Sequence, residues 1–196
     1  MNKEIERKYA VKSLPNEIKI SKIIDIEQAY IYKDINTIIR IRKVTDKKEK
    51  TTNYIYTVKT KGDIEYKNNY DVASKYEIES NISEEEYNKL MERKISNVIN
   101  KTRIVVPIEE NLKVEIDIYY DYLDGLLTAE IEFPNEEMAK TYQKPAWLGE
   151  ELGYKELSNR KLSQMTKEEF RSKVSEEFIE QNRKIIKMFN EKITKL

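Results

Sequence analysis

The chain has 196 residues, with 36 Lys plus Arg against 36 Asp plus Glu, so its formal charge is zero although 37% of residues are charged. That balance argues against a general nucleic-acid or membrane-surface binder, which would carry a basic excess. The absence of both Cys and His excludes disulfides, thiol and Ser–His nucleophiles and Cys- or His-ligated metals, leaving carboxylates, Lys, Arg, Tyr and bound metal for any chemistry.

The first strand contains Glu4-Ile5-Glu6-Arg7-Lys8. Side chains on a strand alternate faces, so Glu4, Glu6 and Lys8 share one side and Ile5, Arg7 and Tyr9 the other, over about 13 Å. After a break at Ser13-Leu14-Pro15-Asn16, residues 17–22 are expected to form a short helical turn. Residues 27–32 and 37–44 read as a hairpin turning at 33–36, with Arg40 and Arg42 on one face. The basic run 46–50 reads as an exposed loop. Residues 54–61 form the next strand, with Thr57, Lys59 and Lys61 on one face, and 71–81 the fifth, where Glu77 and Glu79 oppose Tyr76 and Ile78. Ser83 and Glu86 make a capping box that starts a helix running to about Lys94. Residues 100–108 carry Lys101 and Arg103 on one face, 113–120 carry Glu115 and Asp117, and 126–133 carry Glu130 and Glu132. Asn135 caps a helix to about Gln143, and Trp147-Leu148-Gly149 reads as less regular. From Thr166 to the end the apolar residues Phe170, Val174, Phe178, Ile185, Phe189 and Ile193 recur at helical spacing, as a packing face. No apolar run could span a bilayer and the N-terminal stretch lacks a signal-peptide core, so a cytoplasmic location is expected.

The repetition carries the argument. A water-facing strand surface mixes Thr, Ser, Lys and Gln, whereas these pairs are sorted by sign. Glu4/Glu6, Glu77/Glu79, Glu115/Asp117 and Glu130/Glu132 are acidic, while Arg40/Arg42, Lys59/Lys61 and Lys101/Arg103 are basic. The expected class is α+β: an eight-stranded antiparallel β-barrel, or tunnel, with three helices packed outside. Arginine forks bind phosphate oxygens, and carboxylates beside them repel a polyanion unless they hold Mg²⁺ or Mn²⁺. A metal-bound polyphosphate with chemistry at phosphorus follows, which needs positioning and charge neutralisation rather than a protein nucleophile.

These residues resemble the CYTH, or triphosphate tunnel metalloenzyme, superfamily. Glu4-Ile5-Glu6-Arg7-Lys8 is similar to its ExExK signature, the later pairs fall in the same order, and Trp147 to Glu151 with Leu157-Ser158-Asn159 resembles the C-terminal signature of its bacterial members. The likeness covers residues 1–165, leaving 166–196 as a helical extension that packs on the barrel or forms a homodimer contact. It implies a divalent-metal-dependent hydrolysis of inorganic triphosphate to phosphate and pyrophosphate in a charged tunnel, with Mg²⁺ or Mn²⁺. Glu130 and Glu132 would hold the metal on the triphosphate; Glu4 and Glu6 would hold or orient a second metal and the attacking water. Lys8, Arg40, Arg42, Lys59, Lys61 and Arg103 would grip phosphates. Glu77, Glu79, Lys101, Glu115 and Asp117 would line the tunnel, and Lys161 or Arg160 would belong to a plug near its mouth. The alternatives are a thiamine or nucleoside triphosphatase, a class IV adenylate cyclase, or a non-catalytic polyphosphate-binding module.

Overall fold

The computed structural model describes residues 5–15, 17–61, 75–153 and 157–194. Nine strands form one antiparallel sheet: β1 Glu6–Val11, β2 Lys22–Lys33, β3 Thr37–Asp46, β4 Thr51–Lys61, β5 Lys75–Ile82, β6 Ile99–Pro107, β7 Lys113–Tyr119, β8 Leu127–Glu132 and β9 Leu148–Glu151. Their order is β5-β4-β3-β2-β6-β7-β8-β1-β9. The helices are α1 Glu84–Met91, α2 Glu136–Thr141, α3 Asn159–Leu162, α4 Lys167–Lys173 and α5 Glu176–Ile193.

The expected closed barrel of eight strands is corrected to an open sheet of nine, with β5 and β9 at its edges. The segment read as irregular after Trp147 is β9. It pairs with β1 through Tyr9↔Glu151 and Val11↔Leu148, and so occupies the edge that closure would need. Gly149 permits this approach, since a Cβ there would stand 3.2 Å from that of Ala10.

One face of the sheet is apolar and backed by helices. Ile104, Val106, Val114, Ile116, Ile118, Ala129 and Ile131 pack there against Ala139 of α2 and Ile185 and Phe189 of α5. Each fully buried Ile, Leu or Phe side chain contributes roughly 1.5–3 kcal/mol. At the other end, Ala29, Ile41 and Tyr87 form a smaller cluster under α1. A third cluster, including Ile99, Leu123, Leu126, Leu162, Phe170 and Ile179, fixes α3, α4 and the start of α5 at one end of β6 and β7.

Helix boundaries follow their caps. The Ser83–Glu86 capping box starts α1, which ends at Met91 rather than near Lys94. Asn135 caps α2, which ends at Thr141, before Gln143. Thr166 and Glu169 form a second capping box for α4. The long helix expected from Thr166 divides at Val174, because Ser175 caps a new one, α5, by accepting from the backbone of Phe178. The α5 helix is pinned at its middle: buried Asn182 donates from Nδ2 to the carbonyl of Gly125 at 3.1 Å. Gly125 has φ +88°, and a Cβ there would meet Ile179 Cγ2 at 2.6 Å, so only glycine fits this turn.

The helical turn expected over 17–22 does not form. Ile18 and Ile20 both pack on the main core, a period of two that suits extended chain, and Ser21 N donates to the Val105 carbonyl at 2.9 Å. Among the described residues no helix is long and apolar enough to cross a membrane.

Candidate functional site

The face of the sheet opposite the main core carries the charge. Its residues follow from register: Lys8↔Glu130↔Glu115 run across β1, β8 and β7, and Asp117↔Arg103 and Tyr119↔Lys101 continue from β7 to β6. Parity in β1 sorts the signature. Lys8 faces Glu130, with Nζ 2.9 Å from Oε1, whereas Arg7 turns to the apolar side. There Arg7 Nη2 meets Glu151 Oε2 at 2.7 Å and Nη1 donates to the Ala139 carbonyl at 2.8 Å.

Two ion-pair networks occupy the charged face. In the β6–β7–β8–β1 network, Asp117 is the hub. Its Oδ1 accepts from Arg103 Nε at 2.7 Å, and its Oδ2 from Arg103 Nη2 at 2.7 Å and Lys101 Nζ at 2.6 Å. Arg103 also bonds Glu115 and reaches Glu130 Oε2 at 3.0 Å. Lys8, Lys101, Asp117 and Glu130 are buried. A carboxylate removed from water resists ionisation, but burial is outweighed at Asp117 by Arg103 and Lys101, and at Glu130 by Lys8 and Arg103, so both carboxyls titrate below their ordinary range. Burial pushes the Lys101 ammonium down to about 8, with Asp117 opposing.

The second network spans β3, β4 and β5. Arg40 Nη2 meets Glu77 Oε1 at 3.0 Å and Glu79 Oε1 at 3.4 Å, Arg42 bonds Glu79, and Lys59 Nζ meets Glu77 Oε2 at 3.0 Å. Thr57 Oγ1 donates to Glu79 at 2.9 Å. Burial, then the neighbouring Arg40, push the Arg42 guanidinium down to about 10. The Nε groups of Arg40 and Arg42 are buried without a hydrogen-bond partner among the described residues. The charge of Arg103 still bears on Arg42 across the intervening β2, so the two networks belong to one electrostatic field.

Segment 157–165 lies over one end of this face. Lys8 Nζ donates to the Leu157 carbonyl at 2.9 Å, Tyr119 Oη to Asn159 Oδ1 at 2.9 Å and Lys33 Nζ to Gln164 Oε1 at 2.7 Å. On α3, Lys161 is exposed, while half-buried Arg160 bears electrostatically on Tyr30 of β2.

Of the residues singled out from sequence, the structure gathers Lys8, Lys101, Arg103, Glu115, Asp117 and Glu130 into one network and Arg40, Arg42, Lys59, Glu77 and Glu79 into the other. Lys61 ends β4 opposite Lys75 in backbone register. Glu4 lies outside the described residues. Glu6 and Glu132 sit directly opposite each other on β1 and β8. Sequence reasoning passed over Gln28 and Tyr30, which share the charged face across from Arg42 and Arg40. The available signal was their i, i+2 spacing; a search for sorted charges misses a neutral amide and a phenol.

Among the described residues no three carboxylates converge on a single cation position. The carboxylates that would hold a divalent metal on this face are Glu6 and Glu132, opposite each other in register. Like charges directly opposite on adjacent strands destabilise the pairing, and the described residues give Glu132 no ion pair. Glu115 and Glu130 are also opposite, but Arg103 bridges them.

A groove of about 380 Å³ lies elsewhere, lined in part by Asp25, Glu27, Lys43, Thr45, Asn100 and Thr102. Its polar groups satisfy one another: Thr102 Oγ1 donates to Asp25 at 2.6 Å and accepts from Tyr120 Oη at 2.8 Å, and Lys47 meets Asp25 at 3.2 Å. The spare donors are on the charged face.

No family model matches the chain. It is similar to an inorganic triphosphatase of Nitrosomonas europaea, 26% identical over 151 residues, covering 76% of this chain and 88% of that protein. An inorganic triphosphatase of Acetivibrio thermocellus is 29% identical over 153 residues, covering 78% and 86%. The crystal structure of the inorganic triphosphatase NE1496 superposes with a TM-score of 0.57 at 25% identity, covering 84% of this chain and 97% of that one.

Proposed function

We propose, from the premise that this is a triphosphatase-like chain of the CYTH superfamily, that it hydrolyses inorganic triphosphate to phosphate and pyrophosphate with Mg²⁺ or Mn²⁺. The observation that carries this reading is one sheet face holding two sets of buried or half-buried cations, with two carboxylates, Glu6 and Glu132, set directly opposite on β1 and β8.

Arg40, Arg42 and Lys59 bind phosphoryl oxygens from one side, and Lys8 and Arg103 from the other, so a linear polyanion lies across β2. Their ion pairs loosen to admit it, since Glu77, Glu79 and Glu130 share the same cations. A divalent cation held by Glu6 and Glu132 would neutralise phosphoryl charge and acidify a bound water. Glu130 would join that set only on leaving Lys8 and Arg103. Water oriented by Glu6 attacks a terminal phosphorus, the P–O bond to the bridging oxygen breaks, and the arginines stabilise charge on departing pyrophosphate. The balanced net charge disfavours nucleic acid as a partner.

Phosphate release from tripolyphosphate, ATP and thiamine triphosphate, each with Mg²⁺, Mn²⁺ or EDTA, tests the proposal. Tripolyphosphate should turn over fastest and only with metal. Release that persists in EDTA would refute the metal reading, faster turnover of thiamine triphosphate or ATP would reassign the substrate, and pyrophosphate with a cyclic product from ATP would indicate a cyclase. Glu132→Gln should cut turnover by at least about 100-fold while leaving the fold intact.

A further inference from the structure

We infer that Gln28 is a phosphate-binding residue, forming with Tyr30, Arg40 and Arg42 a donor set for an unesterified terminal phosphoryl group at the end of the charged face covered by α3. The inference rests on the triphosphatase reading and specifies which end of the substrate this part of the site takes.

Three observations support it. First, Gln28 is directly opposite Arg42 in the β2–β3 register, and Tyr30 opposite Arg40. Directly paired residues have Cβ atoms about 5 Å apart, within reach of one phosphoryl group. Second, three donors at this spot are buried without a hydrogen-bond partner among the described residues: Gln28 Nε2, Arg40 Nε and Arg42 Nε. Gln28 is only 1% exposed, and its Nε2, with the Tyr30 side chain as its polar neighbour, bears a desolvation penalty without a well-formed hydrogen bond in return. A methionine or leucine would fill the same space without that cost, which disfavours a packing role. Three donors match the three non-bridging oxygens of a terminal phosphoryl group, and the arginine Nη2 groups are already held by Glu77 and Glu79.

Third, apolar side chains close this end of the face. On β6, Ile99 stands opposite Gln28 and packs with Leu162 of α3 and Leu123. The Tyr30 backbone is closed off by Ser96, whose Oγ accepts from Tyr30 N at 3.0 Å, and by Ile95, whose N–H donates to the Tyr30 carbonyl at 2.8 Å. That wall offers no hydrogen-bond partner that would compete with an anion for the Gln28 amide.

The test is Gln28→Met, which keeps side-chain length and removes the donor. KM for tripolyphosphate should rise about 10-fold with kcat within about 2-fold, a loss of about 1.4 kcal/mol in binding. The unfolding midpoint without substrate should stay level or rise, because a buried unpaired amide is gone. An unchanged KM, or a lower midpoint with unchanged KM, would overturn the inference. Should Gln28→Met fail to fold, Gln28→Glu removes the same donors at constant shape and must raise KM further; an unchanged KM again refutes it. If the wild type does not hydrolyse tripolyphosphate, the functional reading fails on its own. Calorimetry with pyrophosphate then decides the subsite: about 10-fold weaker binding to Gln28→Met sustains it, and equal affinity or no wild-type binding overturns it.

Discussion

The two halves of the charged face are built differently. Around β6, β7, β8 and β1 the charges are closed on themselves: Asp117 is fully buried, both its oxygens are bonded, and Arg103 reaches three carboxylates. The main core and α5 stand behind it. Around β3, β4 and β5 the network ends at the sheet edge, the Glu79 side chain is 43% exposed, and two arginine Nε groups are unpartnered. Behind this half, among the described residues, lies the smaller Ala29–Ile41–Tyr87 cluster. A saturated buried network holds geometry, because any rearrangement strands a charge. A network with spare donors can receive an anion. The first half is therefore the stiffer side of the charged face and the second the more adaptable.

The contrast is most sharply tested at the hub. Asp117→Ala leaves Lys101 and Arg103 buried beside each other and should lower stability by about 3–5 kcal/mol in urea unfolding. Glu79→Ala in the other half should cost under about 1 kcal/mol, given its exposure. Equal losses would erase the distinction. Next, Arg42→Lys replaces a fork with a point charge and should raise KM for tripolyphosphate about 10- to 100-fold, with a stability change under about 1.5 kcal/mol.

Acid should also separate the halves. Asp117, Glu130 and Glu79 all titrate below their ordinary range in the folded chain. A depressed carboxyl contributes stability above its unfolded value, near pH 4, and that contribution disappears as pH falls through the folded value. The melting temperature should therefore drop steeply below about pH 4, and Asp117→Asn should flatten that slope far more than Glu79→Gln. A profile unchanged in both variants would contradict the assignment. The smallest effect is expected outside the site: Arg7→Met removes the Glu151 pair and should cost about 1 kcal/mol or less, with KM unchanged.

Much of this was readable from the residues because strand parity is strict. The alternation put Lys8 with Glu130 and sent Arg7 to the other side, and Ser83 with Glu86 announced α1. What escaped reading depended on long-range pairing. Residues 148–151 look irregular alone and become a strand because β1 offers an edge. Residues 17–22 alternate Ile18 with Ile20, a signal that charged neighbours obscured. Gln28 and Tyr30 carry no charge, so their place in the site emerged only when β2 was found between β3 and β6.

The double engagement of β1 has a further consequence. It is paired on one side with β8 through five consecutive residues and on the other with β9, while Arg7 clamps β9 from behind. Because side chains alternate with a period of two, a single-residue insertion near Tyr9 would invert this strand: Arg7 would face the charged side, and Glu6 and Lys8 would be driven toward the apolar one. A substitution here alters one side chain, whereas a one-residue insertion reverses the facing of every residue that precedes it in the strand. The segment is thus open to exchange of letters and closed to any change of length.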